Sequence, residues 1–142
     1  MDMTVLEKKG LNLILFHVND VLFGVELFQV SEICEPTGGH LPSEIKALGE
    51  EFFGNSGKIK NGGKVFAMKN NTGARQDYGI LTNDPEDIIE ISLDNIRPLP
   101  AIVGKLKRYK SLWGGFIYKG EVGLLLDLEK FCAEVGVNKV AA

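Results

Sequence analysis

Cysteine, histidine and tryptophan are scarce in this chain of 142 residues, which has two, two and one of them respectively. Cys34 and Cys132 lie far apart, each inside an apolar stretch, with no paired spacing of the kind that a zinc site or redox motif needs. Both are expected as buried thiols. With only His17 and His40 available, a nucleophilic triad has almost no candidate base. His17 shares the alternation of Leu13 and Leu15 and is expected as a packed or rim histidine, while His40 follows two glycines in a loop. Long apolar runs are absent too. Leu13 to Phe16 and Val122 to Leu126 fall far short of the roughly 20 residues that span a bilayer. The first ten residues carry no secretory core, so a cytoplasmic protein without membrane insertion is expected. Excess positive charge is also missing: the net charge is -3, which does not favour nucleic acid or anionic lipid as partners.

Phosphate and cation motifs fail on spacing. Gly49 to Ser56 (GEEFFGNS) has the glycines and hydroxyl of a Walker loop but Asn55 where the phosphate-binding lysine must stand. The acidic run Asp84, Glu86, Asp87, Glu90 has Ile88 and Ile89 where a calcium loop needs a ligand and a glycine, so it reads as a solvated strand edge. Between Phe52 and Gln76 stand Lys58, Lys60, Lys64, Lys69 and Arg75 with no acid, and Lys105, Lys107, Arg108 and Lys110 precede Trp113. Either group could follow a phosphate backbone. Exposed lysines that discourage edge pairing fit an acidic protein better. Neither a cofactor nor an enzymatic constellation is expected, which is the profile of an interaction module.

What is present is strand. Hydrophobic residues make up 44% and charged residues 25%, the balance of a soluble globular domain. Leu11 to Val18 and Val21 to Glu26 are rich in strand formers around a tight Asn19-Asp20 turn. Val30 to Cys34, Lys64 to Lys69, Tyr78 to Thr82 and Asp87 to Ser92 follow as short strands, bounded by glycine, asparagine and proline. Ser111 to Tyr118 and Glu121 to Asp127 form a hairpin around Lys119-Gly120, its second arm apolar enough to be buried on both faces. Ile45, Leu48 and Phe52 after Ser43 have helical spacing, against which stands Gly49. Leu128, Phe131, Cys132 and Val135 predict a short helix capped by Asp127 and ended at Gly136. Many short strands with one terminal helix argue for small β-barrels in an all-β domain spanning residues 11–136, with tails at 1–10 and 137–142.

Two segments read together resemble the CheW family of bacterial chemotaxis adaptors. Leu13 to Glu35 matches its opening, with the aromatic-glycine pair Phe23-Gly24 and the Val-x-Glu-Ile strand Val30-Ser31-Glu32-Ile33. Its second half is matched by Gly79-Ile80-Leu81, Asp87-Ile88-Ile89, Ile96 to Pro100, Trp113-Gly114-Gly115-Phe116 and the ending Leu124 to Phe131. The middle departs from the family: Lys58 to Gly63 keeps a turn glycine but lacks the arginine of the receptor-contacting surface, and Lys60 supplies at most its charge. The resemblance implies a pair of five-stranded β-barrels sharing a core, and non-enzymatic bridging between chemoreceptor signalling tips and a CheA-like histidine kinase. It implies partner-binding roles for Val30, Glu32 and Ile33, with Lys60 in the middle turn, and kinase binding with weakened receptor binding. A diverged CheW-like module in another two-component or pilus-type pathway, and a small-ligand or nucleic-acid-binding barrel, are the competing readings.

Overall fold

The structure is a computed structural model, described here for residues 10–54, 57, 62–69, 75–99 and 110–135, with backbone alone at 75 and 76. Both tails beyond these residues, residues 58–61 of the middle turn including Lys60, and the basic run Lys105, Lys107, Arg108 lie outside the described residues.

Two hairpins anchor the first sheet. Strands β1 (Gly10–Val18) and β2 (Val21–Glu26) meet at Asn19 and Asp20, with φ of 53° and 64°. Strands β8 (Leu112–Tyr118) and β9 (Glu121–Leu126) meet at Lys119 and Gly120, with φ of 50° and 80°. Two consecutive left-handed residues give the turn whose twist matches that of paired strands, and asparagine, aspartate and glycine tolerate that conformation best. With β7 (Asp87–Ser92) these strands form a five-stranded sheet in the order β7-β1-β2-β9-β8, in which β2 and β9 run parallel. After a 3-10 turn at Leu93–Asn95, Arg97 bridges to Gly115 on β8 through backbone hydrogen bonds of 2.8 and 2.9 Å. The chain leaving one edge of the sheet thus lands on the other edge, and the sheet curls closed.

The second sheet contains β3 (Val30–Cys34), β4 (Glu44–Ala47), β5 (Lys64–Lys69) and β6 (Arg75–Thr82), in the order β3-β5-β6-β4. The expected pair of five-stranded units is therefore seen as five strands and, among the described residues, four. Helix α1 (Leu48–Phe53) follows β4 directly, and helix α2 (Leu128–Glu134) closes the described chain. The Asp127 carboxylate accepts a hydrogen bond from the Lys130 amide at 3.1 Å and caps α2 as expected.

Alternating faces of the first sheet feed two cores. Leu13, Leu15, Leu22, Ile91, Phe116 and Leu125 pack together inside the curled sheet. Ile14, Phe16, Val18, Phe23, Val25, Leu124 and Leu126 point the other way, against Val30, Phe66, Met68 and Ile80 of the second sheet and Phe52 and Phe131 of the helices. The continuous apolar runs of β1 and β9 follow from this, because a strand with cores on both faces needs no polar alternation. Aromatic contacts tie the layers: Phe16 meets Phe23 at 5.8 Å and Phe66 edge-on at 5.6 Å, and Phe52 stacks on Phe131 at 5.3 Å.

Two local expectations are corrected. The helical spacing from Ser43 to Phe53 divides into a strand and a helix, because Glu44–Ala47 pairs in parallel with β6 and places Ile45 opposite Gly79. Gly49 sits within α1 for reasons of space: a Cβ there would stand 2.4 Å from the Gly57 carbonyl oxygen. Cys132 is fully buried as expected, whereas Cys34 at the end of β3 is only half-buried, and the two form no disulfide.

Candidate functional site

β3 lies at an edge of the second sheet and pairs antiparallel with β5, with a bulge between Val30 and Glu32. An extra residue there breaks the alternation of faces, so Ser31, Glu32 and Ile33 are all exposed. Val30, expected to face a partner, is instead 7% exposed and belongs to the shared core, since it precedes the bulge and keeps the inward register. Ile33 remains 38% exposed. The 3-10 turn leading into β3 adds Leu27 and, at 63% exposure, Phe28. This strand edge with its apolar side chains and one carboxylate can accept an extended or helical partner through backbone pairing or apolar anchors.

A buried polar joint holds that edge to the rest of the molecule. Gln29, in the turn before β3, donates to the Asp127 carboxylate at 2.9 Å and accepts from the Leu128 amide at 2.9 Å. One amide side chain therefore ties the β2–β3 crossover to the start of α2, and its burial is compensated by both bonds. Glu26 nearby has its carboxyl pKa raised by burial and by the charge of Asp127. At the far end of β3, Lys64 bonds Asp84 at 2.9 Å and lies 3.6 Å from Glu35, so at least this member of the basic stretch is matched by acids.

A second cluster sits at the mouth of the curled sheet. The His17 ring faces Glu86 through Nδ1 at 2.7 Å and Glu121 through Nε2 at 2.8 Å. Partial burial pulls the His17 pKa down, but the hydrogen bonds and charges of the two glutamates outweigh it and leave it raised. The Tyr118 hydroxyl donates to Asp87, whose pKa is lowered by that bond and by the Ile88 amide. Leu15, His17, Leu22, Glu86, Asp87, Tyr118, Lys119 and Glu121 enclose a cavity of about 210 Å³. The two glutamates bind opposite sides of the ring and do not converge on one centre, and among the described residues no group of His, Cys, Asp and Glu side chains is arranged to hold a metal ion. The sequence left His17 as a packed or rim histidine, the half-buried ring lies at the rim, and both partners, 69 and 104 residues away, were missed. The alternation of His17 with Leu13 and Leu15 was the one signal available for its position.

Two curled sheets on a common core, with a short terminal helix packed into it, define a CheW-like fold. Among solved structures it is similar to the scaffolding protein TtCheW from Thermoanaerobacter tengcongensis, with a TM-score of 0.65 over 84% of this chain and 86% of that one. Sequence identity is 13%, so the likeness is one of fold. No family model matches the sequence, and no curated protein sequence does.

Among the described residues no helix is long and apolar enough to cross a membrane.

Proposed function

We propose that this chain is a non-enzymatic CheW-like adaptor that couples chemoreceptor signalling tips to a CheA-type histidine kinase in the cytoplasm. The observation that carries this reading is the likeness in fold to a scaffolding protein over most of both chains. The exposed edge of β3 supports it as well, because Glu32 and Ile33 stand there at the positions the family resemblance assigns to receptor contact. Val30 supports that surface from beneath. Contacts of this kind are modest in area and reversible, with affinity concentrated in a few apolar anchors. Kinase binding is expected to survive moderate salt, since screening acts on exposed charge and leaves apolar burial intact. Receptor binding is expected to be weaker, because the usual middle-turn arginine is missing and Lys60 lacks its bidentate geometry.

Calorimetry of the purified chain with the regulatory domain of the cognate kinase, and separately with the receptor tip, tests the proposal. Kinase binding together with receptor binding that falls in Glu32→Lys is the expected outcome. Strong receptor binding untouched by Glu32→Lys would refute the site, and binding to neither partner would refute the adaptor reading.

A further inference from the structure

The His17 cluster is independent of the adaptor surface, and its geometry has a protonation consequence. Both ring nitrogens lie within 2.9 Å of carboxylate oxygens, Nδ1 on Glu86 and Nε2 on Glu121. An ionised carboxylate only accepts, and a neutral imidazole has a single N–H to offer. The trio therefore holds one proton more than a neutral ring between two carboxylates. The residues joined are distant in sequence: His17 is the penultimate residue of β1, Glu86 precedes β7, and Glu121 opens β9 just after the β8–β9 turn. Two further hydrogen bonds reinforce the link, the Glu86 backbone amide donating to the Leu15 carbonyl at 2.7 Å and the Asn83 side-chain Nδ2 donating to the His17 carbonyl at 2.7 Å. The trio shares the lining of the cavity with Leu15 and Leu22.

We propose that His17 is a pH-sensitive clamp on the mouth of the five-stranded barrel, closed while the ring carries both protons and released from one glutamate when it loses one. The other charged or titratable groups around the ring are Asp87 on β7, Tyr118 on β8 and Lys119 in the turn. Asp87 and Tyr118 bond each other, which leaves Glu86 and Glu121 to hold the ring. The raised pKa sets the sign. The clamp contributes fully below the unfolded histidine value of about 6.5 and is lost as pH rises through the higher folded value.

Nitrogen-15 NMR of the intact chain tests this, with the His17 signals assigned by their loss in His17→Gln. The expected result is a ring protonated on both nitrogens at pH 6, with a midpoint above 6.5 that falls in Glu121→Gln and in Glu86→Gln. Hydrogen exchange at the Glu86 amide should lose several-fold protection, after correction for the intrinsic pH dependence, as His17 titrates, and no such step should occur in His17→Gln. A ring carrying one proton at pH 6, a midpoint at or below 6.5, or unchanged Glu86 protection across the titration would overturn the proposal.

Discussion

Replacing Gly123 by alanine sets two physical effects against each other, and the structure decides the winner. Gly123 lies in the interior of β9, pairs with Phe116 on one side and Leu22 on the other, and does not adopt a left-handed φ. By backbone entropy alone, alanine at such a position stabilises by about 0.4 to 1 kcal/mol. A Cβ built at Gly123, however, would stand 2.2 Å from Phe116 Cζ and 2.5 and 2.7 Å from two further ring atoms. The ring also covers Gly24, where a Cβ would lie 3.0 Å from it, and Phe116 is only 1% exposed inside its core. The ring cannot leave without displacing its neighbours, so the overpacking cost of about 1 to 3 kcal/mol applies at its upper end. The net expectation is a loss of about 2 kcal/mol. In a Phe116→Leu background the obstacle is gone, and the same Gly123→Ala change becomes neutral or mildly stabilising. Equilibrium urea unfolding of the four proteins in this double-mutant cycle, with unchanged m values, should give a coupling energy of about 2 to 3 kcal/mol. Equal effects of Gly123→Ala in both backgrounds, or an alanine variant as stable as the parent, would refute the reasoning.

Leu124 and Leu126 are buried in the shared core, and truncating either to alanine should cost about 2 to 5 kcal/mol in urea unfolding, with Leu126 the larger loss. Gln29→Leu strands the Leu128 amide and one bond of Asp127, and should cost about 1 to 3 kcal/mol, read as a lower midpoint in thermal or urea melts. Burial, with the nearby charge of Glu129, pushes the Cys132 thiol pKa up to about 12. In the native protein at pH 8 a thiol reagent should therefore label Cys34 alone, and Cys132 should react only after unfolding. Two rapidly labelled thiols in the native state would contradict the packing of α2.

The elements whose formation is local were legible in the amino-acid order. Both hairpins announce themselves through residues that tolerate the left-handed turn, Asn19-Asp20 and Lys119-Gly120, between runs of strand formers. α2 is readable from its Asp127 cap and the spacing of Leu128, Phe131 and Cys132, since each lies within two turns of the others. The order of short motifs carried the resemblance of the whole, and the glycine of Phe23-Gly24 has a packing reason that Gly123 shares: a single ring, that of Phe116, covers both positions.

Tertiary structure decided whatever depends on residues distant in sequence. Ile45 and its neighbours have helical spacing, yet they extend as β4, because parallel pairing with β6 satisfies their backbone and outweighs a weak local preference. The bulge that follows buried Val30 and exposes Glu32 and Ile33 arises from the register of β3 on β5, so the composition of the Val-x-Glu-Ile strand could not tell which member faces outward. The alternation of His17 left it as a packed or rim histidine. Its chemistry came from Glu86 and Glu121, delivered by the closure of the first sheet: a side chain's protonation is set by charges within a few ångströms, and only the folded chain determines which charges those are.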